Sequence, residues 1–204
     1  MDSLISVTAI ITGAGSGLRM GGEVKKQYRM LAGIPILIRS LDPFFSSPII
    51  SNIIVTAPEE DLALCESMIR QYFDPAPKPY LVMAGGLERQ DSVFGALQQC
   101  PEDTALVYIH DAVRPFISHD LLEELQGIAL REKAVVPACR LKNTIKEVTG
   151  DYIGQTLVRD RLLQILTPQV FDFDLIKASY EKAYQDGYVS TDDAALVEYY
   201  GAKV

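Results

Sequence analysis

Residues 7–11 (VTAII) form an apolar, β-branched run that empties into a loop with glycines at 13, 15, 17, 21 and 22. Such a run, too short for a helix and without a polar side, is what a strand buried on both faces of a parallel sheet requires. Arg19, Lys25, Lys26 and Arg29 follow closely. Glycine lets bare backbone N–H groups approach anionic oxygens, and cations neutralise the charge, so residues 8–28 have the make-up of a polyphosphate cradle. Taken alone, the four cations are as compatible with a solvated face.

The rest of the chain repeats the strand-then-helix rhythm. Ile36, Leu37, Leu41, Phe44 and Phe45 recur at helical spacing, predicting a helix over 35–45. Residues 52–57 read as a strand, and 58–72 as a helix with Pro58 in its first turn and Glu59, Glu60 and Asp61 at its positive end. Strands over 80–84, 105–109 and 134–138 alternate with helices over 89–99 and 118–131, the second capped by Ser118. Helices over 173–185 and 191–200 close the chain, the last with Thr191 as its cap. This alternation predicts an α/β fold, a mostly parallel sheet with helices on both faces. Residues 140–159 break the rhythm: two β-rich stretches, 143–148 and 152–158, flank Thr149-Gly150-Asp151 and predict a hairpin arm. A lone ribbon is marginal and needs a partner surface, in its own domain or a second subunit. The expected organisation is one domain over 1–204 carrying this arm.

A formal net charge of −8 argues against nucleic-acid or membrane-surface partners, which need extended basic surface. Cys65, Cys100 and Cys139 are far apart and show no metal-ligand spacing, as in a reducing cytosol. Asp2 stands where a signal peptide needs a base, and the following apolar run is too short to span a bilayer, so a cytoplasmic protein is expected.

In parallel sheets ligands bind at the carboxyl ends of strands. Three polar clusters fall at such ends: 13–26, 85–92 and 110–114. A dinucleotide fingerprint fails, because Leu18 and Met20 stand where its last glycine belongs. A Walker A loop fails as well, because Gly22 precedes Glu23-Val24. A glycine turn followed by Arg19 and Lys26 suits nucleotidyl transfer, whose transition state gathers charge on phosphate oxygens and calls for fixed cations and Mg²⁺. Asp111 is the carboxylate placed to meet Mg²⁺, a hard ion that prefers oxygen ligands; a turn residue bonding its own loop is the competing reading.

The motifs AGSGLRMG (14–21), KKQY (25–28), GGLERQDSV (85–93), HDAVRPF (110–116), NTIKEV (143–148), LTPQVF (166–171) and TDDAALVE (191–198) occur in this order. In them the chain resembles the 2-C-methyl-D-erythritol 4-phosphate cytidylyltransferases of the non-mevalonate isoprenoid pathway, over nearly its whole length. The resemblance implies a Rossmann-like domain with a protruding β-arm, working as a homodimer with the arm at the interface. It implies transfer of CMP from CTP to a sugar-alcohol phosphate, with Mg²⁺. Ala14, Gly15 and Gly17 would wrap the triphosphate, and Arg19 and Lys26 would stabilise the pentacoordinate α-phosphorus. Gly86, Arg89 and Ser92 would hold the cytosine, and Asp111 and Ala112 would contact ribose, acceptor or metal. Arg114, Thr144, Arg159 and Thr167 would bind the acceptor phosphate, Thr144 and Arg159 reaching a neighbouring subunit's site from the arm.

Departures from the family pattern are Thr12-Gly13 where Pro-Ala is usual, Leu87 where a small polar residue is common, and no Asn-Ile-Lys segment toward the end. The extra glycine at 13 is expected to loosen the loop. His110, at a strand end, is expected to make a structural hydrogen bond, since an anionic phosphate nucleophile needs no general base. Two other functions stay open: a ribitol 5-phosphate cytidylyltransferase, and a nucleotide-binding module without catalysis.

Overall fold

The computed structural model of the protein describes residues 5–15 and 24–204. In chain order its elements are β1 (Ser6–Thr12), β2 (Met30–Leu31), β3 (Ile34–Pro35), α1 (Ile36–Ser46), β4 (Asn52–Ala57), α2 (Leu62–Tyr72), β5 (Tyr80–Ala84), α3 (Arg89–Leu97), β6 (Thr104–Asp111) and α4 (His119–Glu132). Then come β7 (Ala134–Val135), β8 (Ala138–Arg140), β9 (Lys146–Thr149), β10 (Tyr152–Thr156), β11 (Leu163–Ile165), β12 (Gln169–Asp172), α5 (Phe173–Asp186) and α6 (Asp193–Tyr200). The main sheet has six strands in the order β5-β4-β1-β6-β12-β7. β5, β4, β1 and β6 pair parallel.

Because side chains alternate along a strand, β1 feeds two cores. Val7, Ala9 and Ile11 pack with residues of α1, α2 and α4 on one face. Ile10 packs with Ile54, Val107 and Ile109 and with residues of α3, α5 and α6 on the other. Helices therefore cover both faces, which is why the run at 7–11 has almost no polar member. The exception, Thr8, is satisfied by the hydroxyl of Thr104 at 3.0 Å. Local signals set the helix starts. The Ser118 side chain accepts from the Leu121 N–H at the head of α4, and Glu88 and Asp91 form a reciprocal capping box at the head of α3.

The sheet is mostly parallel, as the rhythm of the sequence predicts, and β12 is the one strand that runs against the rest. β12 pairs antiparallel with β6, and β7 antiparallel with β12. β12 is only QVFD, below the length at which periodicity separates a strand from a loop. The predicted strand over 134–138 divides at Val136-Pro137, with β7 staying in the sheet and β8 leaving it. β8 pairs with β11, and β9 with β10, both antiparallel. The predicted hairpin is thus the outer end of one two-stranded ribbon that begins as β7/β12 inside the sheet. Gly150, at φ +60°, supplies the left-handed turn at its tip. A second small hairpin, β2/β3, turns through Ala32 and Gly33, both at positive φ, and strands of two residues leave no periodic signal. Among the described residues no helix is long and apolar enough to cross a membrane.

Phe171, on β12, is fully buried against α5 and α6. Phe171→Ala is expected to cost about 3–5 kcal/mol of unfolding free energy in denaturant titration, through lost burial and the cavity left behind. A loss under about 1 kcal/mol would mean that β12 is not a core strand.

Candidate active site

The three predicted loops do converge. A crevice of about 400 Å³ opens beyond the carboxyl ends of β1, β5 and β6. The loop after β1 contributes Ala14 and Gly15, the segment after β5 contributes Gly86, Arg89 and Ser92, and β6 contributes Asp111. Leu87 also lines it and is wholly exposed. Ala112 is fully buried behind the crevice, its N–H donating to the Thr12 carbonyl at 3.0 Å. Gly17 and Arg19 lie outside the described residues.

Two glycines let the loops meet. A Cβ on Gly85 would stand 2.2 Å from the Ala14 Cβ and 2.7 Å from the Ser92 Oγ, so only glycine fits where the first and second loops touch. Ser92 closes the second loop on itself: its hydroxyl accepts from the Gly86 N–H at 3.0 Å and donates to the Glu88 carbonyl at 3.1 Å. A Cβ on Gly13 would lie 2.9 Å from the Thr56 carbonyl oxygen and 3.2 Å from the Ala112 Cβ. The Gly13 N–H donates to that same Thr56 carbonyl at 2.9 Å. The expected loosening at Gly13 is therefore not what the fold shows; the glycine permits a close approach that pins the root of the loop.

The cations divide. Lys25 Nζ is paired with Glu60 at 2.5 Å and Asp61 at 2.7 Å, where the acids before α2 face it. It belongs to that contact, not to a phosphate-facing cluster. Arg29 Nε donates to the Val24 carbonyl at 3.1 Å. Lys26, half-buried on a single 3₁₀ turn (Lys26–Tyr28), has no side-chain ion pair among the described residues.

The inner wall of the crevice is a chain of alternating charges. Arg89, the first residue of α3, donates from Nη1 and Nη2 to the two oxygens of Asp193 at 3.0 and 2.7 Å. Asp193 has no solvent exposure and also accepts from the Tyr180 hydroxyl. Arg89 Nε reaches Asp111 Oδ1 at 3.5 Å, and Arg114 Nε donates to Asp111 Oδ2 at 2.8 Å. Burial by itself would raise the Asp111 pKa; the charges of Arg89 and Arg114 outweigh it and hold the carboxyl below its ordinary value. The cap of α6 is Asp192, which accepts from the Ala195 N–H, and not Thr191 as predicted. Of the two adjacent acids one caps the helix and the other turns inward to Arg89. Gln90 and Gln169 hold this segment: Gln90 Oε1 accepts from the Ser190 N–H at 2.9 Å, and Gln169 Oε1 from the Ala194 N–H at 3.0 Å.

Beside Asp111, His110 is fully buried and points the other way, against Phe44. Its Nε2–H donates to the Arg114 carbonyl at 3.0 Å, so Nδ1 accepts from the Thr167 hydroxyl at 2.9 Å. The Thr167 oxygen in turn accepts from the Asp111 N–H at 3.5 Å. The structural hydrogen bond predicted for His110 is present. Thr167 and Arg114 line a shallower pocket adjoining the crevice. Thr144 and Arg159 lie on the arm, away from both, and Arg159 donates to the Lys142 carbonyl at 2.9 Å. The motif TDDAALVE was recognised in the sequence, but the pairing of its Asp193 with Arg89 was not. The Asp-Asp doublet before AALVE was the available signal, because a helix needs only one capping acid.

Burial holds the His110 pKa down at about 4, against an ordinary 6.5, with Asp111, Arg114 and Arg89 nearby. Between these values the unfolded chain binds the extra proton, so stability is complete above about pH 6.5 and falls as pH drops toward 4. The loss is expected to reach about 3 kcal/mol at pH 4, with Asp111 adding mainly below that. Denaturation midpoints across this range measure it, and His110→Gln should flatten the curve. An unchanged slope in the variant would contradict the assignment.

Comparison with known proteins places this geometry. The family described as IspD, 2-C-methyl-D-erythritol 4-phosphate cytidylyltransferase, matches residues 7–204. The chain is 38% identical over 200 residues to the enzyme of that name from Geotalea uraniireducens, covering 97% of this chain and 85% of the relative. It is 38% identical over 206 residues to the bifunctional enzyme IspD/IspF of Solidesulfovibrio magneticus, covering 98% of this chain and 51% of that longer protein. The crystal structure of 4-diphosphocytidyl-2C-methyl-D-erythritol synthase from Anaerococcus prevotii superposes with a TM-score of 0.83 at 32% identity, covering 99% of this chain and 86% of that one. With a match of this extent and the three-loop crevice in place, the chain belongs to the 2-C-methyl-D-erythritol 4-phosphate cytidylyltransferase family.

Proposed function

We propose that the protein transfers CMP from CTP to 2-C-methyl-D-erythritol 4-phosphate, releasing pyrophosphate and giving 4-diphosphocytidyl-2-C-methyl-D-erythritol, a step in making isoprenoid precursors. The observation that carries this is the convergence of the β1, β5 and β6 loops on one crevice, in a chain of this family. An acceptor phosphate oxygen attacks the α-phosphorus in line, and pyrophosphate leaves. The nucleophile is already an anion, which agrees with a His110 that is neutral and has both ring nitrogens engaged. Ala14 and Gly15 line the triphosphate end, and Gly86 with the loop closed by Ser92 lines the base end. Lys26 and Arg19 bring positive charge to the reacting phosphorus, where fixed charge lowers the barrier most.

Among the described residues no group of three metal-ligating side chains exists. An ionised carboxylate at the crevice, Asp111, fits Mg²⁺, which keeps several waters and is commonly held by one or two carboxylates plus substrate phosphates. Bound there, Mg²⁺ would neutralise the phosphate oxygens as a Lewis acid. Arg114 and Thr167 would hold the acceptor from this chain, and Thr144 and Arg159 from the arm of a second subunit. Val148, Tyr152 and Ile153 near the arm's tip are each more than three-quarters exposed, and an uncovered apolar ribbon supports a homodimer built on it. Three unpaired cysteines and soluble charged substrates suit a cytoplasmic enzyme.

Purified protein with CTP, Mg²⁺ and the acceptor is expected to release pyrophosphate, and Lys26→Ala to lower kcat by about 10²–10³ with the fold intact by circular dichroism. Faster turnover on ribitol 5-phosphate would change the acceptor; CTP binding by calorimetry without release would leave a binding module. Tyr152→Asp with Ile153→Asp is expected to shift sedimentation from dimer to monomer and to lower kcat/KM for the acceptor more than for CTP. A variant that stays dimeric would remove the arm from the interface.

A further inference from the structure

The turn that carries Lys26 is anchored at every position but one. Lys25 is held by Glu60 and Asp61. Tyr28 is buried in the core beside Cys65 and Ile69 of α2. Tyr28 N–H closes the turn on the Lys25 carbonyl at 3.0 Å. Between them Gln27 is only 3% exposed, and its Nε2 donates to the Gly13 carbonyl at 2.9 Å. Gly13 is thus held through both of its flanking peptide groups, its N–H donating to the Thr56 carbonyl of β4 and its carbonyl accepting from Gln27. Lys26 is the residue of the turn whose side chain makes no hydrogen bond or ion pair among the described residues. The two segments that Gln27 joins are the root of the glycine loop and the lysine turn.

We propose that Gln27 is a positioning residue: by tying the lysine turn to the first carbonyl of the glycine loop, it sets where the Lys26 ammonium stands relative to the triphosphate. The proposal rests on the nucleotidyl-transfer reading of the site. The requirement is chemical as well as steric. The contact needs an N–H donor, since the Gly13 oxygen can only accept. A carboxylate at 27 would set oxygen against oxygen, and an apolar residue would leave a buried carbonyl unpaired. A lysine misplaced by about 1 Å from a reacting phosphorus loses on the order of 10² in rate, whereas the fold keeps its anchors at Lys25 and Tyr28.

The test uses Gln27→Met, close in shape and without a donor, and Gln27→Glu. Pyrophosphate release by Gln27→Met should fall about 10–100-fold in kcat, with KM for CTP changed much less. The double variant with Lys26→Ala should be no slower than Lys26→Ala alone, because the two act through one group. Multiplying defects, or full kcat in Gln27→Met, would overturn the proposal. Amide hydrogen exchange on the unliganded protein gives a readout apart from turnover. Exchange should rise together at 13–15 and 25–28 in both variants and stay unchanged in β4 and β6. No rise at 13–15, or an even rise throughout, would overturn the tie. If the wild-type protein releases no pyrophosphate, it is the functional reading that fails, and exchange still decides whether Gln27 couples the two segments.

Discussion

The crevice depends above all on the ion pair between Arg89 and Asp193. Asp193 is shut off from solvent, and moving two charges out of water costs several kcal/mol before anything is regained. Here the loss is offset by a two-pronged guanidinium–carboxylate contact, by the Tyr180 hydroxyl and by the extension through Arg89 to Asp111. The pair fastens the first turn of α3 to the first turn of α6, two helices that meet on one face of the sheet. Arg114, Asp111, Arg89 and Asp193 alternate in sign, so each ion is compensated by a neighbour. Arg89 is the link that matters most, because its removal would leave Asp193 buried with no cation beside it, whereas Asp111 would keep Arg114.

Adjacent residues on β6 show how one strand end supports two opposite protonation regimes. His110 and Asp111 point to opposite sides of the sheet, as strand geometry demands. His110 enters the apolar layer beside Phe44 and stays neutral; Asp111 faces two guanidinium groups and stays ionised. Thr167 joins them, accepting from the backbone of one and donating to the ring of the other. The neutral histidine thereby helps to hold the charged aspartate in place.

How much of this was legible in the residues varies with the range of the forces involved. β1, β4 and β5 and most helices follow from local periodicity, and the site loops from the rule that parallel strands present ligands at their carboxyl ends. β12 was not legible, because four residues between a proline and a helix carry no period. Nor was the division of labour among Lys25, Lys26 and Arg29, which depends on α2 bringing Glu60 and Asp61 alongside. The closeness of Gly13 to Thr56 depends on a strand 40-odd residues away, so the sequence suggested freedom where the fold imposes contact. The partners of Asp193 and Gln27 were hidden for the same reason: a polar residue's partner, when distant in sequence, is set by topology alone.

The ribbon that becomes the arm leaves the main sheet between two strands that are already hydrogen-bonded to each other, β7 and β12. To the sheet, everything from Val136 to Pro168 is the loop of a single hairpin. Loop closure grows only slowly more costly with length, and the stem fixes the register whatever lies beyond it. The outer end of the arm, β9 and β10, can therefore lengthen or shorten without disturbing the sheet, whereas Thr167 at its root stays tied to His110 and Asp111. A lineage could in this way remodel the outer face of the ribbon while the stem and the core strands keep their register.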